Sequence, residues 1–296
     1  MSKMSEESSL YRLFLRLFLK SVVDSSVWVS AAIASLTFFV QHALALTPDW
    51  RPAALIFCAA LIPYNLDRIL DAVVQENPDS QTQIFSQTSA VWLVLLGAAV
   101  GTGTLIYQAP PPARWVSLGG LVPLIYGLPL FPWRRDADPI RWYRIKDIPG
   151  IKAWIVCSSI TYAVVALPLG YAMQPLSLSA IVTALWLLVF VGSNSHMFDA
   201  RDIASDQQQG VATLPVLVGI RETRVILTGL NSLTFLMLIW GYAQGLRVPE
   251  VAIALPATLL ALLYIWMLTP KTPRQIYNIW IDGILCLPAL ITCILL

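Results

Sequence analysis

Nine long apolar stretches run through almost the whole 296-residue chain, and they limit its fold more than any other feature. Each is about 20 residues long, which is the length of helix that crosses the hydrocarbon core of a bilayer. The predicted spans are residues 26–46, 52–72, 88–108, 115–132, 149–171, 177–198, 222–243, 250–268 and 276–296. Only 12% of the residues are charged, whereas a soluble domain has about 25%. The sequence therefore predicts an all-α, polytopic membrane protein built as a nine-helix transmembrane bundle.

The distribution of basic residues predicts how this bundle is oriented. With nine spans, one side of the membrane holds the N-terminus and the connections after spans 2, 4, 6 and 8. Sixteen of the nineteen Lys and Arg residues lie on that side, and only Arg51, Arg114 and Arg247 lie on the other. The positive-inside rule makes the basic side cytoplasmic. We expect residues 1–25 to form a cytoplasmic amphipathic segment, followed by the bundle over 26–296, with a central cavity open toward the cytoplasm.

Other functional classes are disfavoured by simple features of the sequence. The net charge of +2 does not suggest a nucleic-acid partner. The four cysteines lie in apolar runs without metal-ligand spacing. The sequence also lacks the P-loop, nucleophile-elbow and H-E-x-x-H motifs of nucleotide-binding proteins, serine hydrolases and zinc proteases.

Two acidic motifs of the form D-x-x-x-D interrupt the apolar pattern. Asp67 and Asp71 come at the end of span 2, and Asp202 and Asp206 follow span 6. The spacing of i and i+4 puts both acids of a pair on one helix face, and Asp199 shares the face of the second pair. Carboxylates next to a membrane span are costly and tend to be functional. Because Mg²⁺ binds carboxylates together with substrate phosphates, the motifs predict one shared site for Mg²⁺ and a polyanion on the cytoplasmic side.

Several neighbouring side chains are candidates for the same site. Basic residues that could bind a diphosphate are Lys152 at the start of span 5, Lys146, Arg68 and Arg201. Arg68 and Arg201 could equally pair with the acidic motifs. Tyr64 lies one turn before Asp67, where its ring could stabilise a cation or serve only in packing. Asn65 is a further polar candidate whose direction the sequence does not give.

At these residues the chain resembles the UbiA superfamily of intramembrane prenyltransferases. The resemblance rests on Asp67-Arg-Ile-Leu-Asp71, on Asp202-Ile-Ala-Ser-Asp206 with the following Thr213-Leu-Pro215, and on Lys146-Asp-Ile-Pro-Gly-Ile-Lys152 before span 5. It extends to the helix count and the placement of both motifs. It implies Mg²⁺ held by the four motif aspartates, a prenyl diphosphate held by Mg²⁺ and basic residues, and an apolar channel for the prenyl tail.

One departure from the family pattern affects the first motif. The family has Asn-Asp where this chain has Pro63 and Tyr64, and Asn65 is out of register. The first metal half-site or the position of the acceptor is therefore expected to differ, and Asp199 is a candidate replacement ligand.

The expected function is Mg²⁺-dependent transfer of an isoprenyl group from a prenyl diphosphate to a lipophilic, aromatic acceptor in the membrane. One alternative is a non-catalytic member of the same fold that binds a prenyl lipid or a partner. A cation-coupled transporter is the other. The sequence leaves open the acceptor, the length of the prenyl chain and the oligomeric state.

Overall fold

The computed structural model describes residues 22, 25–74, 89–125, 129–133, 141–145 and 148–296. Side chains are described throughout these ranges except at residues 68, 70–74, 89–90, 129–133, 141–144 and 209. The predicted N-terminal segment 1–25 lies outside the described residues apart from Val22 and Ser25, and Lys146 also lies outside them.

The described chain is predominantly helical, in agreement with the predicted fold class. The helices are α1 (Val27–Ala43), α2 (Arg51–Val74), α3 (Ser89–Gln108), α4 (Pro111–Ser117), α5 (Val122–Ile125), α6 (Ile151–Tyr171), α7 (Leu178–Arg201), α8 (Ile203–Gln209), α9 (Leu214–Val218), α10 (Ile220–Ala243), α11 (Val251–Met267), α12 (Asp282–Ile284) and α13 (Leu287–Leu295). A π-helical segment, Ile276–Ile281, runs into α12. Predicted spans 1, 2, 3, 5, 6, 7 and 8 each coincide with one helix: α1, α2, α3, α6, α7, α10 and α11.

The predicted fourth span, 115–132, is wrong as a single helix. The chain instead forms α4, a 3₁₀ turn at Leu118–Leu121, the short α5 and a strand, β1 (Pro129–Trp133). β1 pairs antiparallel with β2 (Arg141–Arg144) in a hairpin that the sequence did not suggest. Glycines 119 and 120 and the prolines at 123, 129 and 132 interrupt this stretch. Both residue types weaken a helix interior, glycine through chain entropy and proline through its missing N–H and its ring.

The predicted ninth span is a bent pair of helices. Residues Ile276–Ile284 and Leu287–Leu295 meet at an angle of 43°. By length and composition, four of the described helices, or five with this pair, can cross a membrane. Two shorter apolar helices are α1 and α11. The count of nine spans therefore stays a prediction.

The core of the bundle lies around α7. Trp186 and Phe190 on α7 are fully buried and stack with 5.3 Å between ring centroids. The Trp186 indole N–H donates to Thr258 Oγ1 on α11 at 3.1 Å, which satisfies its polar atom inside the core. The outward faces carry exposed apolar side chains, among them Leu96, Leu236 and Leu263. Since water does not favour such faces and lipid does, the fold is that of an integral membrane protein.

Helices α2 and α6 run antiparallel, which positions the site described below. The Arg51 guanidinium at the start of α2 lies 5.2 Å from the ring centroid of Tyr171 at the end of α6. The opposite ends, the end of α2 with the first acidic motif and the start of α6 with Lys152, therefore lie toward the same side of the bundle.

Candidate functional site

Lys152 links two aspartates that belong to the second acidic region. Its Nζ lies 3.5 Å from Asp199 Oδ1 and 3.3 Å from Asp206 Oδ1. The side chains of Asp199 and Asp206 are 7% and 6% exposed, and that of Lys152 is 30% exposed. Two nearly buried carboxylates with one cation between them form a charged centre that stays electrostatically strong because little water screens it.

Backbone contacts hold this centre together. Gly150 precedes α6 with a φ of 74°, and its N–H donates to the Ala212 carbonyl at 2.6 Å. Val211 N–H donates to the Asp206 carbonyl at 2.8 Å. Gly210 has a φ of 70°, a left-handed conformation that glycine adopts without strain, and it ends α8. The loop after Asp206 is thereby tied to the first turn of the helix that carries Lys152.

Thr213 adds a side-chain contact to the same carboxylate. Its hydroxyl donates to Asp206 Oδ2 at 3.2 Å, and Thr213 is buried. Asp206 thus has one oxygen toward Lys152 and the other toward Thr213. Thr213 begins the Thr-Leu-Pro sequence, which by itself indicates only the resemblance, so its contact with Asp206 was not predicted.

The spacing of the second motif predicted one continuous helix, but the structure shows a break at Asp202. Helix α7 ends at Arg201, Asp202 has non-helical angles (φ −92°, ψ 11°), and α8 begins at Ile203. Asp206 N–H still donates to the Asp202 carbonyl at 2.9 Å, so the break is a kink. The kink brings Asp206 together with Asp199 through Lys152, whereas Asp202 has a different partner.

That partner is Arg201. Its Nε and Nη2 donate to the two Asp202 oxygens at 2.8 and 2.6 Å, and Nη1 donates to Asn278 Oδ1 at 3.1 Å. The guanidinium also lies 4.8 and 5.4 Å from the ring centroids of Phe198 and Tyr277. Of the two predicted alternatives for Arg201, the structure has the pair with a carboxylate.

The first motif lies on the last turns of α2. Asp67 is half-buried and lines an apolar cavity of about 250 Å³, together with Tyr64 and Pro63. The side chains of Asp71 and Arg68 lie outside the described part of the chain. Asn65 turns away from this cavity: it is fully buried, and its amide nitrogen donates to the carbonyls of Ser25 and Leu61 at 3.1 and 2.7 Å.

The cavity runs between α2 and α6 and is lined on a third side by α4, α5 and the turn between them. On α6, its wall begins at Ile155 and Val156, one turn after Lys152. Asp67 therefore makes one end of the cavity acidic. Along the axis of α6, this end lies about one helical turn from Lys152, since each residue rises 1.5 Å. The arrangement combines a charged end with an apolar body.

The carboxylates of the charged centre fit a hard divalent cation such as Mg²⁺. Asp199 Oδ2 is buried and has no hydrogen-bond partner among the described residues. Carboxylate oxygens are the ligands that Mg²⁺ prefers, completed by water and substrate phosphates. No group of three or more His, Cys, Asp or Glu within the described ranges could hold a metal ion by itself. The described acids therefore fit as part of a coordination sphere and require further oxygen ligands.

His196 lies one turn before Asp199 but is not part of the charged centre. Its ring packs edge-on against Trp154 with 4.9 Å between centroids. Both ring nitrogens are buried and lack a partner among the residues that the structure describes.

Comparison with known proteins identifies a family. The model of the UbiA prenyltransferase family matches residues 65–281, which is well over half of the chain. No curated protein matches it. Among solved structures, a UbiA homologue from Archaeoglobus fulgidus bound to GPP and Mg²⁺ is 12% identical, with a TM-score of 0.65, covering 94% of this chain and 98% of that one. The apo UbiA homologue from Aeropyrum pernix K1 is 16% identical, with a TM-score of 0.62, covering 90% of this chain and 98% of that one. At such identities the likeness shows the shared fold.

Proposed function

Because the chain belongs to the UbiA prenyltransferase family, we propose that it transfers an isoprenyl group from a prenyl diphosphate to a lipophilic acceptor in the membrane, in a Mg²⁺-dependent reaction. An aromatic ring is the proposed acceptor class. The observation that carries the proposal is that the charged centre at Lys152 lies one turn along α6 from the wall of an apolar cavity. A prenyl diphosphate has the same two parts, a polyanionic head and an apolar tail. The Archaeoglobus homologue binds GPP with Mg²⁺, which agrees with this assignment.

The acidic residues are proposed to bind the metal ion, and the basic residues are proposed to bind the diphosphate. The four motif aspartates would hold Mg²⁺: Asp67, Asp71, Asp202 and Asp206. Asp199 is a further carboxylate ligand or a group that stabilises positive charge, since its Oδ2 is buried without a partner among the described residues. The proposed diphosphate contacts are Lys152, Lys146 and Arg68, with Arg201 as an indirect contributor through Asp202.

The surroundings of Tyr64 and Asn65 support different roles for these two candidate acceptor-site residues. Tyr64 lines the cavity, where an aromatic ring can stabilise an allylic cation or contact the acceptor. Asn65 is buried and its amide nitrogen is used by two backbone carbonyls. Asn65 therefore supports the position of α2 against the chain at Ser25, and Tyr64 is the stronger candidate for a role toward substrate.

The reaction follows from these positions. Bound Mg²⁺ would neutralise the diphosphate as it departs. Lys152 adds a positive charge at the same end, so negative charge that builds up on the leaving oxygen is stabilised. The bond between that oxygen and the first prenyl carbon breaks, and the acceptor supplies the electron pair for the new bond. An aromatic acceptor then loses the proton from the attacked ring carbon to the released diphosphate. The apolar lining of the cavity disfavours water, which would otherwise capture the cation.

We also propose that both acidic motifs face the cytoplasm. The basic residues concentrate on that side under the predicted topology, and Lys152 and the end of α2 lie toward the same side of the bundle. A soluble or interfacial diphosphate could then reach the site directly. Acids gathered at one end of the bundle also disfavour a cation-coupled transporter, which needs a path from one side to the other.

The test is a transfer assay with purified protein in lipid. Labelled prenyl diphosphates, Mg²⁺ and a panel of quinone-ring precursors, other aromatic rings and lipid alcohols would be supplied, and product would be identified by mass. We expect one acceptor class to give prenylated product, which Asp67→Ala combined with Asp202→Ala abolishes. Folded protein that binds prenyl diphosphate but never yields product would refute the enzymatic proposal.

Such an outcome would instead favour the second candidate, a non-catalytic prenyl-lipid-binding protein. Pro63 and Tyr64 motivate it, because neither supplies the carboxylate or amide of the family pattern. The discriminating variant is Asp67→Ala, which would then weaken binding in a protein that has no turnover to lose.

A further inference from the structure

The apolar cavity has a measurable length because its lining residues are regularly spaced on two antiparallel helices. On α2 the lining extends from Asp67 back to Leu55, and on α6 it extends from Ile155 to Leu167. Each stretch contains thirteen residues, and its twelve steps at a rise of 1.5 Å per residue span about 18 Å. The contact between Arg51 and Tyr171 lies just beyond the Leu55 and Leu167 end, so both stretches describe the same path through the bundle.

The end remote from Asp67 is closed. Ile33, Leu55 and Leu167 line the cavity there, and they are 1%, 2% and 6% exposed. All three belong to the packed core of the bundle. Closely packed cores do not admit additional atoms without strain, so this end is a firm limit for a tail that enters at Asp67.

The length and the volume of the cavity set an upper and a lower limit on the number of isoprene units that fit. An isoprene unit adds four carbon–carbon bonds of about 1.5 Å, which project to roughly 4–5 Å in an extended chain. A path of about 18 Å therefore holds at most about four units. The cavity volume of about 250 Å³ gives a lower figure, because a cavity of about 150 Å³ holds one benzene molecule of six carbons. By that ratio the volume holds about ten carbons, or two units, and this figure is the lower bound on the tail.

We infer that this cavity selects short isoprenyl diphosphates of two to four units, from geranyl to geranylgeranyl, and rejects long polyprenyl diphosphates. This inference rests on the proposed function and narrows its substrate class. Small residues on opposite walls set the width at half length: Ala60 on α2 and Ala163 on α6, each seven or eight residues from the charged end. A large side chain at either position would close the path after about two units.

The first experiment is a length profile of the wild-type protein in lipid with Mg²⁺. Prenyl diphosphates of one, two, three, four and nine units would compete with a labelled three-unit diphosphate, and transfer would be measured in parallel. We expect affinity to peak between two and four units and to be at least tenfold weaker for nine. Affinity that rises steadily up to nine units would overturn the length limit while leaving the proposed function intact. Absence of binding at every length would instead count against the proposed function.

The second experiment shortens the cavity by placing a large side chain at half its length. Ala163→Phe is expected to keep two-unit binding within about threefold and to weaken four-unit binding at least tenfold, and Ala60→Phe should do the same from the opposite wall. The matched control is Ala99→Phe, since Ala99 is exposed on α3 and does not line the cavity. An unchanged profile in folded Ala163→Phe and Ala60→Phe protein would contradict the inference. If neither variant folds, the wild-type profile decides alone.

Discussion

At the scale of single residues, Lys152 provides the positive charge that offsets the carboxylates of Asp199 and Asp206. Removing one partner of a buried ion pair costs about 3–5 kcal/mol, mainly because the remaining charges stay buried. Lys152 is 30% exposed, so we expect Lys152→Met to destabilise the protein by less than this, by about 1–3 kcal/mol. We also expect the Kd for prenyl diphosphate to rise at least tenfold. Thermal unfolding in detergent and direct binding would measure the two effects separately.

The matched control for Lys152 is Lys271, which lies exposed in the turn after α11. Lys271→Met removes the same charge and should change neither quantity. Lys152→Arg keeps the charge, so it should retain most of the stability and part of the binding. Equal effects of Lys152→Met and Lys271→Met would show that only total charge matters.

Thr213 allows a finer test, because its hydroxyl contacts Asp206 Oδ2 at 3.2 Å. A hydrogen bond to a charged group contributes about 1.5–3 kcal/mol. Thr213→Val keeps the shape without the donor, and Asp206 should then hold its position less well. We expect transfer to fall about tenfold or more, with most of the loss reversed in Thr213→Ser. Equal activity of the Val and Ser variants would rule out the hydroxyl as a positioning group.

The sequence singled out the acidic residues as candidates and offered a pair with Arg201 as one alternative, but it did not predict the contacts of Asp199 and Asp206 with Lys152. The spacing of Asp202 and Asp206 assumed one helix, and the kink at Asp202 instead joins Asp206 to Asp199 through Lys152. Lys152 was recognisable as a basic residue entering a span. Asn65 was recognisable as polar, but its bonds to Ser25 and Leu61 depend on packing between elements distant in the sequence.

At the scale of elements, the end of α8 depends on a left-handed residue. Gly210 has a φ of 70°, and a Cβ there would meet nothing within 4 Å. The cost of a side chain is therefore conformational, about 1–2 kcal/mol for an ordinary L-residue. We expect Gly210→Ala to lower thermal stability and to reduce diphosphate binding, since the turn holds Asp206 beside Lys152. Gly210→Asn should be milder, because Asn adopts this conformation more readily.

Gly97 provides the control for this change. It lies within α3, where a Cβ would also meet nothing within 4 Å, but its φ is not positive. Alanine is favoured over glycine in a helix by about 0.5–1 kcal/mol. Gly97→Ala should therefore leave stability unchanged or raise it. Similar losses for Gly97→Ala and Gly210→Ala would mean that backbone conformation is not the cause.

Comparison of the predicted spans with the helices shows where hydropathy alone fails to predict a helix. Apolar length predicted α2, α6, α7 and α10 well, since a continuous helix is the simplest way to satisfy backbone groups in lipid. The same criterion failed at 115–132, because it counts apolarity and ignores the glycines and prolines that break the helix there. The hairpin of β1 and β2 satisfies its backbone groups between strands instead.

At the scale of the whole molecule, the orientation in the membrane is open to a direct test. Single cysteines would be introduced into a protein whose four native cysteines are replaced, at exposed positions Gln208, Lys271, Gln174 and Gln244. Under the predicted topology, positions 208 and 271 react with an impermeant maleimide only from the cytoplasmic side. Positions 174 and 244 should react only from the opposite side. Labelling of all four from one side would invalidate the topology.

The site as a whole is expected to bind its metal and its diphosphate together. The described acids form no group of three that could hold a metal ion alone, and Mg²⁺ readily takes phosphate oxygens as its remaining ligands. Each ligand should then raise the affinity for the other by the same factor, because coupling between two binding equilibria is reciprocal. We expect at least a tenfold effect, measured by calorimetry of Mn²⁺ binding with and without an unreactive prenyl thiodiphosphate.

The matched variant for this coupling is Asp206→Asn, which keeps the size of the side chain and removes a proposed ligand charge. It should weaken Mn²⁺ binding and reduce the coupling factor, whereas Glu250→Gln, on the opposite side of the predicted membrane, should alter neither. Tight Mn²⁺ binding without the diphosphate would contradict the expected coupling, because the protein would then supply a complete set of ligands. Tight diphosphate binding that chelation of all divalent cations leaves unchanged would mean that Lys152 and its basic neighbours hold the head alone.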